Sequence, residues 1–278
     1  MACRRFLVDG NIMISNSHLY TWAIFHASNA AWESEDAIED HIKQFCPGYS
    51  YFESYRNDHA QAYYLQIGAR SVIAINGTDG TMEDWGNNLT ALADKYGHPG
   101  FRKEYYDDLS PWILKKAKYD VHHGNKILLC THSQGTAEGN LAVLDINEKY
   151  RSYKPDVEQI GFGGPKSHTP AGLLRMASAR CRVTHLKRSD DPITKIGGIR
   201  YKFPFKFQWT SHYGYQVKLP KTSINLRGDK AKWPKALTDL AGGHAWSSYM
   251  YSLAEWYSWA GKLGEIKVLK DIMKVAKI

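Results

Sequence analysis

The stretch Ile127-Leu128-Leu129-Cys130-Thr131-His132-Ser133-Gln134-Gly135 does most to narrow what this chain can fold into. Four apolar residues in succession, without alternation, fit a strand buried on both faces, as in a mostly parallel sheet covered by helices on either side. A helical pattern over residues 135–149 begins at once. A strand that turns directly into a helix lifts the side chain at the turn, here Ser133, above the carboxyl edge of the sheet. Small residues two before and two after it let strand and helix pass closely. Gly135 is one such residue, whereas Thr131 stands where glycine is usual. The turn also aims the backbone amide of Gln134 from the positive end of the helix, where a developing oxyanion would be stabilised. Taken alone, the same serine could be a helix N-cap, so the remainder of the chain has to decide between the two.

The rest of the pattern repeats the alternation. Residues 18–45 are helix-rich, with apolar positions at helical spacing around Ala37, Ile38, Ile42 and Phe45. Residues 60–67 and 71–75 are predicted strands joined through Gly68-Ala69-Arg70. A helix is expected over 101–118, ending near His123-Gly124-Asn125, with further short strands over 157–162 and 182–186, aromatic hairpins over 201–225 and helix over 246–276. Apolar runs alternating with helices give an α/β class with a mainly parallel sheet. No repeat, low-complexity tract or long linker divides the 278 residues, so one domain spanning 1–278 is expected.

Three chain segments supply the groups that nucleophilic catalysis needs: a hydroxyl, a base within its reach and a carboxylate that fixes the base in one tautomer. In hydrolases with such a turn the chain order is serine, acid, histidine. Downstream of Ser133, the strand Val183-Thr184-His185-Leu186 runs into Lys187-Arg188-Ser189-Asp190-Asp191-Pro192-Ile193, which places carboxylates just past a strand's carboxyl end. Gly242-Gly243-His244 then opens a helix. Asp190 competes with Asp191 for the acid. His212, in Thr210-Ser211-His212-Tyr213-Gly214, is the strongest rival base, although its hairpin setting favours a structural role.

In order along residues 20–260, these pieces resemble the class 3 lipase family, a branch of the α/β-hydrolases acting on acylglycerols and other esters. Ile73-Ala74-Ile75-Asn76-Gly77-Thr78 is similar to its strand ending in Arg-Gly-Thr or Arg-Gly-Ser, and Asp84-Trp85-Gly86-Asn87-Asn88-Leu89 to the Asp-Trp-x-x-Asp-Leu that follows. Gly97-His98-Pro99-Gly100-Phe101 resembles His-x-Gly-Phe, and Thr131-His132-Ser133-Gln134-Gly135 resembles Gly-His-Ser-x-Gly. Phe162-Gly163-Gly164-Pro165 resembles Phe-Gly-x-Pro, Asp191-Pro192-Ile193 resembles Asp-Pro-Val, and His244 with Tyr249 the closing histidine segment. The resemblance implies a carboxylic ester hydrolase with a Ser133, Asp191 and His244 triad and an acyl-enzyme intermediate. It further implies an oxyanion hole from Thr78 and Gln134, and a lid over 79–89 whose underside Met82, Trp85 and Leu89 would form. Asn76 for arginine and Thr131 for glycine mark a distant member, which keeps a catalytically silent lipid- or protein-binding module as the alternative.

The expected partner is an ester or lipid, with no cofactor and no metal. Ten Lys or Arg against the single acid Asp229 over residues 195–235 permit peripheral contact with an anionic membrane, while no nucleic-acid-binding motif is present. Residues 201–209 alternate aromatic and polar side chains and read as one strand with Tyr201, Phe203, Phe205, Phe207 and Trp209 on one face. Residues 263–278 form a basic amphipathic helix that can pack on its own domain or lie on a membrane, the former being expected first. Asp9-Gly10-Asn11 interrupts the early apolar stretch before a signal core could form, and no run is long enough for a membrane span. With four cysteines in no paired spacing, a reducing, cytoplasmic setting or non-classical export is expected.

Overall fold

The structure is a computed structural model that describes residues 16–31, 34–57, 60–77, 105–196, 198–202, 206–221 and 245–275. Its centre is a seven-stranded sheet in the order β1-β2-β3-β4-β5-β6-β9. The strands are β1 (Tyr51–Arg56), β2 (Gln61–Ile67), β3 (Arg70–Ile75), β4 (Lys126–His132), β5 (Val157–Phe162), β6 (Arg182–Arg188) and β9 (Tyr215–Leu219). β1, β2 and β3 pair antiparallel, and from β3 to β9 every pairing is parallel. Strands β7 (Gly198–Lys202) and β8 (Lys206–Thr210) form a separate antiparallel pair.

Alternation along each strand divides the apolar side chains between two layers. Leu128 and Cys130 join Val72, Ala74, Ile160, Phe162 and Leu186 on one face, where helices α1 (Asn16–Asn29) and α2 (Glu35–Phe45) pack. Helices α6 (Trp246–Trp259) and α7 (Leu263–Val275) complete that layer. Ile127 and Leu129 join Ile73, Ile75, Val157 and Val183 on the other, beneath α3 (Ser110–His123) and α4 (Gln134–Lys149). Because β4 is covered on both sides, it carries the unbroken apolar run rather than an alternating one. α5 (Pro170–Ser178) follows β5, started by Thr169, whose hydroxyl accepts from the Gly172 amide, and by Pro170 in the first turn.

Several expectations need correction. β1, at the sheet's edge, has no counterpart in the sequence reading, since its half-exposed residues lack any clear apolar alternation. The helix expected from residue 101 is described from Tyr105 and opens with a π-helical turn at Tyr105–Leu109, while its end at Gly124, φ 69°, falls where the sequence placed it. Residues 201–209 are not one strand: β7 stops at Lys202 and pairs with β8, with Tyr201 opposite Phe207. In sequence, Pro204, a residue with no amide to give to a ladder, falls between their ranges. β9 is not a hairpin partner of β8 but a parallel neighbour of β6. At the C-terminal end Gly261, at φ 68°, separates α6 from α7, and Leu269 and Met273 of α7 are buried against α1 and α6. The apolar stripe of that helix therefore packs on its own protein, while Lys267, Lys270 and Lys274 are exposed. No helix among the described residues is long and apolar enough to cross a membrane.

Candidate active site

Ser133 occupies the junction between β4 and α4 with φ 57° and ψ −131°, a backbone state that an L-residue adopts only under constraint. The constraint is visible on every side. The Ser133 amide donates to the Phe162 carbonyl at 2.9 Å, and the Thr136 amide donates to the Ser133 carbonyl at 3.0 Å. At Gly135 a Cβ would lie 2.3 Å from the Asn76 carbonyl oxygen, so the first turn of α4 rests directly on the end of β3. At Gly77 a Cβ would lie 2.5 Å from the Ser133 Cβ and 3.1 Å from its Oγ. The strand end that carries Asn76 and Gly77 thus passes immediately over the serine, and only glycine fits there.

Thr131 is accommodated without opening the turn. Its hydroxyl donates to the Thr136 hydroxyl at 3.2 Å and accepts from Gln159 Nε2 at 3.0 Å, and the same nitrogen donates to the Thr136 carbonyl at 2.9 Å. Space for the extra atoms comes from neighbouring glycines. A Cβ on Gly139 would lie 2.8 Å from the Thr131 methyl, and one on Gly161, the Cα partner of Thr131 across the β4–β5 ladder, 3.0 Å from its hydroxyl. The departure at the turn is matched by small residues in the helix and the adjacent strand. The other departure, Asn76, accepts the Gly77 amide on its Oδ1 at 2.8 Å and so fixes the peptide between Asn76 and Gly77.

The two candidate carboxylates have different surroundings. Asp190 faces Arg188, whose Nε and Nη2 donate to its two oxygens at 3.1 and 2.8 Å, and its side chain keeps 21% of its exposure. Asp191 is fully buried, with Oδ1 accepting the Ile193 amide at 2.8 Å and Oδ2 accepting the Tyr249 hydroxyl at 2.5 Å. Burial, and next the Asp191 charge, push the Tyr249 phenol well above its usual range, so that it remains a donor. Since β4 and β6 are parallel, Ser133 and Asp191 emerge at the same edge of the sheet.

Helix α6 is fastened to that edge. Arg188 is 3% exposed and reaches past the acid loop to give Nη1 to the Ser248 carbonyl at 2.6 Å and to the Ser252 hydroxyl. The ring of Tyr249 makes edge contacts with His132 at 6.1 Å and Phe162 at 5.9 Å. One tyrosine therefore joins the end of β4, the end of β5 and the acid loop, one turn into the helix that Ala245 caps. His132, beside the serine, is buried with its ring against that of Tyr249. Arg188 was missed in the sequence; its signal was an arginine closing a strand two residues ahead of paired aspartates. Thr78, Met82, Trp85, Leu89 and His244 lie outside the described residues, as does the rest of 78–104 and 222–244.

His212 is held away from base duty. Its Nε2 donates to the Thr194 carbonyl at 3.1 Å, and the Thr194 hydroxyl donates to the Asp191 carbonyl at 2.9 Å, so it braces the acid loop from below. Its ring lies 4.9 Å from that of His185, which is itself buried. Burial lowers His212 to about 4 and drives His185 well below its usual value near 6.5, the latter also because two protonated rings this close would repel. His41, buried against Phe25 and Phe45, is likewise lowered to about 4, by burial first. All three are neutral in the fold but protonate near 6.5 once unfolded, so their contribution to stability is complete above that pH and is lost as pH falls from 6.5 towards 4. Each adds a slope of up to about 1.4 kcal/mol per pH unit. Thermal unfolding followed by circular dichroism should show a steady fall in Tm from pH 7 to 5, above the range where carboxylates titrate; a flat Tm across that window would contradict the assignment. Among the described residues no group of three or more His, Cys, Asp or Glu could hold a metal ion.

No protein-family profile matches the sequence, and comparison with curated proteins gives no significant match. Solved structures do match. A Rhizomucor miehei lipase in complex with its propeptide is 14% identical with a TM-score of 0.59, over 86% of this chain and 80% of that one. The lipase from Rhizopus microsporus var. chinensis is 15% identical with a TM-score of 0.56, over 72% of this chain and 80% of that one. A triacylglycerol lipase whose catalytic centre is described as a serine protease triad is 16% identical with a TM-score of 0.55, over 74% of this chain and 80% of that one. At these identities the likeness establishes the fold: an α/β-hydrolase sheet of the fungal lipase type, with a lipase-like arrangement of its strands and helices.

Proposed function

We propose that this chain is a carboxylic ester hydrolase of lipase type, with Ser133 as nucleophile, His244 as base and Asp191 as the carboxylate that orients it. The observation carrying most weight is the backbone of Ser133. A serine held at φ 57° between a parallel strand and a helix, with Gly77 and Gly135 yielding the space around it, is a costly conformation that packing alone does not require. Asp191 supports the reading, since a fully buried carboxylate at the same sheet edge is held by two donors in a fixed orientation. His244 directly precedes Ala245, the entry to α6, and that helix is tied to the acid loop through Tyr249 and Arg188.

In the proposed reaction the His244 imidazole takes the Ser133 proton as the oxygen attacks the ester carbonyl. The oxyanion that forms is met by the amides of Gln134 and Thr78, contacts of a kind worth about 3–4 kcal/mol when one donor is removed. The imidazolium gives its proton to the departing alcohol, and water cleaves the acyl-enzyme by the same route while Asp191 stays ionised. A lid over 79–89, with Met82, Trp85 and Leu89 beneath it, would couple opening to an ester surface.

Active-site labelling tests this directly. A fluorophosphonate probe is expected to modify folded wild-type protein at Ser133 and nowhere else, and to leave Ser133→Ala unlabelled. Absence of an adduct would instead favour a silent lipid- or protein-binding module on the same fold. Rates on soluble short-chain esters beside emulsified long-chain ones then separate an esterase from an interfacial lipase.

A further inference from the structure

Strands β6 and β9 bring like charges together beside the edge that carries Ser133 and Asp191. Lys187 and Lys218 are Cα partners in the parallel ladder, so their side chains project side by side from one face of the sheet, a pairing that repels. Lys187 shares that face with Val183 and His185, and is half-buried. Lys166 follows β5 by four residues and is anchored by its amide to the Ile196 carbonyl at 2.9 Å. Burial first, and then the Lys218 and Lys166 charges, push the Lys187 ammonium below its usual range. Among the described residues no carboxylate pairs with any of the three. The hydrogen-bond partner of Lys187 there is the neutral Gln216 side chain.

We propose that Lys166, Lys187 and Lys218 form a binding site for a phosphate group beside the hydrolytic edge. Three ammonium groups without an arginine fork suit a compact anion with several non-coplanar oxygens better than a planar carboxylate, and lysine serves phosphate as a point charge. Placement gives the site its use. Lys187 is the last but one residue of β6 and Lys218 the last but one of β9, so both stand at the carboxyl edge from which Ser133 and Asp191 emerge. β6 is two strands from β4, about 10 Å at ordinary strand spacing. A phosphate held there could belong to a glycerophospholipid whose ester reaches the serine, or it could be free phosphate. The lipid form rests on the hydrolase reading, whereas binding itself does not.

Binding is therefore read in Ser133→Ala protein, where turnover cannot intervene, by cosedimentation with phosphatidylcholine vesicles containing or lacking phosphatidylglycerol. A second arm follows Tm in inorganic phosphate against chloride at matched ionic strength. Combining Lys166→Gln, Lys187→Gln and Lys218→Gln should weaken binding to the phosphatidylglycerol vesicles by roughly fivefold for each lysine and abolish the Tm response to phosphate. The combination Lys267→Gln, Lys270→Gln and Lys274→Gln removes the same charge from exposed positions on α7 and should alter neither. Loss of the phosphate response with vesicle binding intact keeps the site and assigns it to free phosphate. Equal losses in both triple variants, or none in the first, overturn the proposal. Hydrolysis of a soluble short-chain ester by the first triple variant in the wild-type background should stay within twofold, and absence of that hydrolysis in wild type would sink the enzyme reading while leaving the vesicle result interpretable.

Discussion

Ser133→Ala is expected to lower kcat/KM for a soluble ester by about 10⁴-fold or more, because the proposed attacking atom is gone and only binding and oxyanion contacts remain. The fold should not follow the activity. Alanine keeps the Cβ that packs against Gly77 and inherits the same backbone angles, so the Tm should stay close to that of wild type. Ser133→Gly separates strain from chemistry. Glycine adopts φ 57° without penalty, and the strain relieved exceeds its extra chain entropy, so this variant should be inactive yet more stable by about 1 kcal/mol. Denaturant midpoints for the three proteins check the order. A serine variant that retains activity within tenfold of wild type would remove Ser133 from the reaction, and a glycine variant less stable than alanine would remove the strain from the account.

The strained serine was legible because everything that makes it so is local. An apolar strand, one serine, one glycine two residues on and an immediate helix lie within ten residues of each other. The same holds for β2 and β3, whose short connection through Gly68 leaves the chain little choice but to turn back. What escaped depends on partners far apart in sequence. Thr131 looked like a defect in the turn until the β4–β5 register set Gly161 opposite it and helix α4 brought Gly139 to its methyl. Strand β9 could not be told from a hairpin arm because its parallel partner lies some thirty residues earlier, and local patterning carries no direction. Arg188 carried no signal of its own beyond its place at the end of a strand. Its burial follows from Asp190 and from the carbonyl of Ser248, sixty residues away, which together satisfy the guanidinium.

Asp191→Asn should reduce kcat by about 10⁴-fold while Tyr249→Phe costs about tenfold, and the two should shift the pH profile in opposite senses. The asparagine side chain fits the same space but carries no charge to stabilise an imidazolium, so the base becomes harder to protonate and the acid limb of kcat/KM moves to lower pH. Removing the Tyr249 hydroxyl has the reverse effect. Its hydrogen bond at 2.5 Å disperses part of the Asp191 charge; without it the carboxylate is more basic, holds an imidazolium more firmly and moves the acid limb to higher pH. Loss of that buried donor should also destabilise the fold by about 1–3 kcal/mol, since Asp191 Oδ2 then gives up its phenol partner. Stability alone cannot reproduce the pattern, because unfolding lowers activity at every pH and shifts neither limb by a fixed sign. If both variants move the acid limb the same way, or if Asp191→Asn retains activity within tenfold of wild type, the carboxylate at 191 is a structural brace for the loop and the orienting role passes to Asp190.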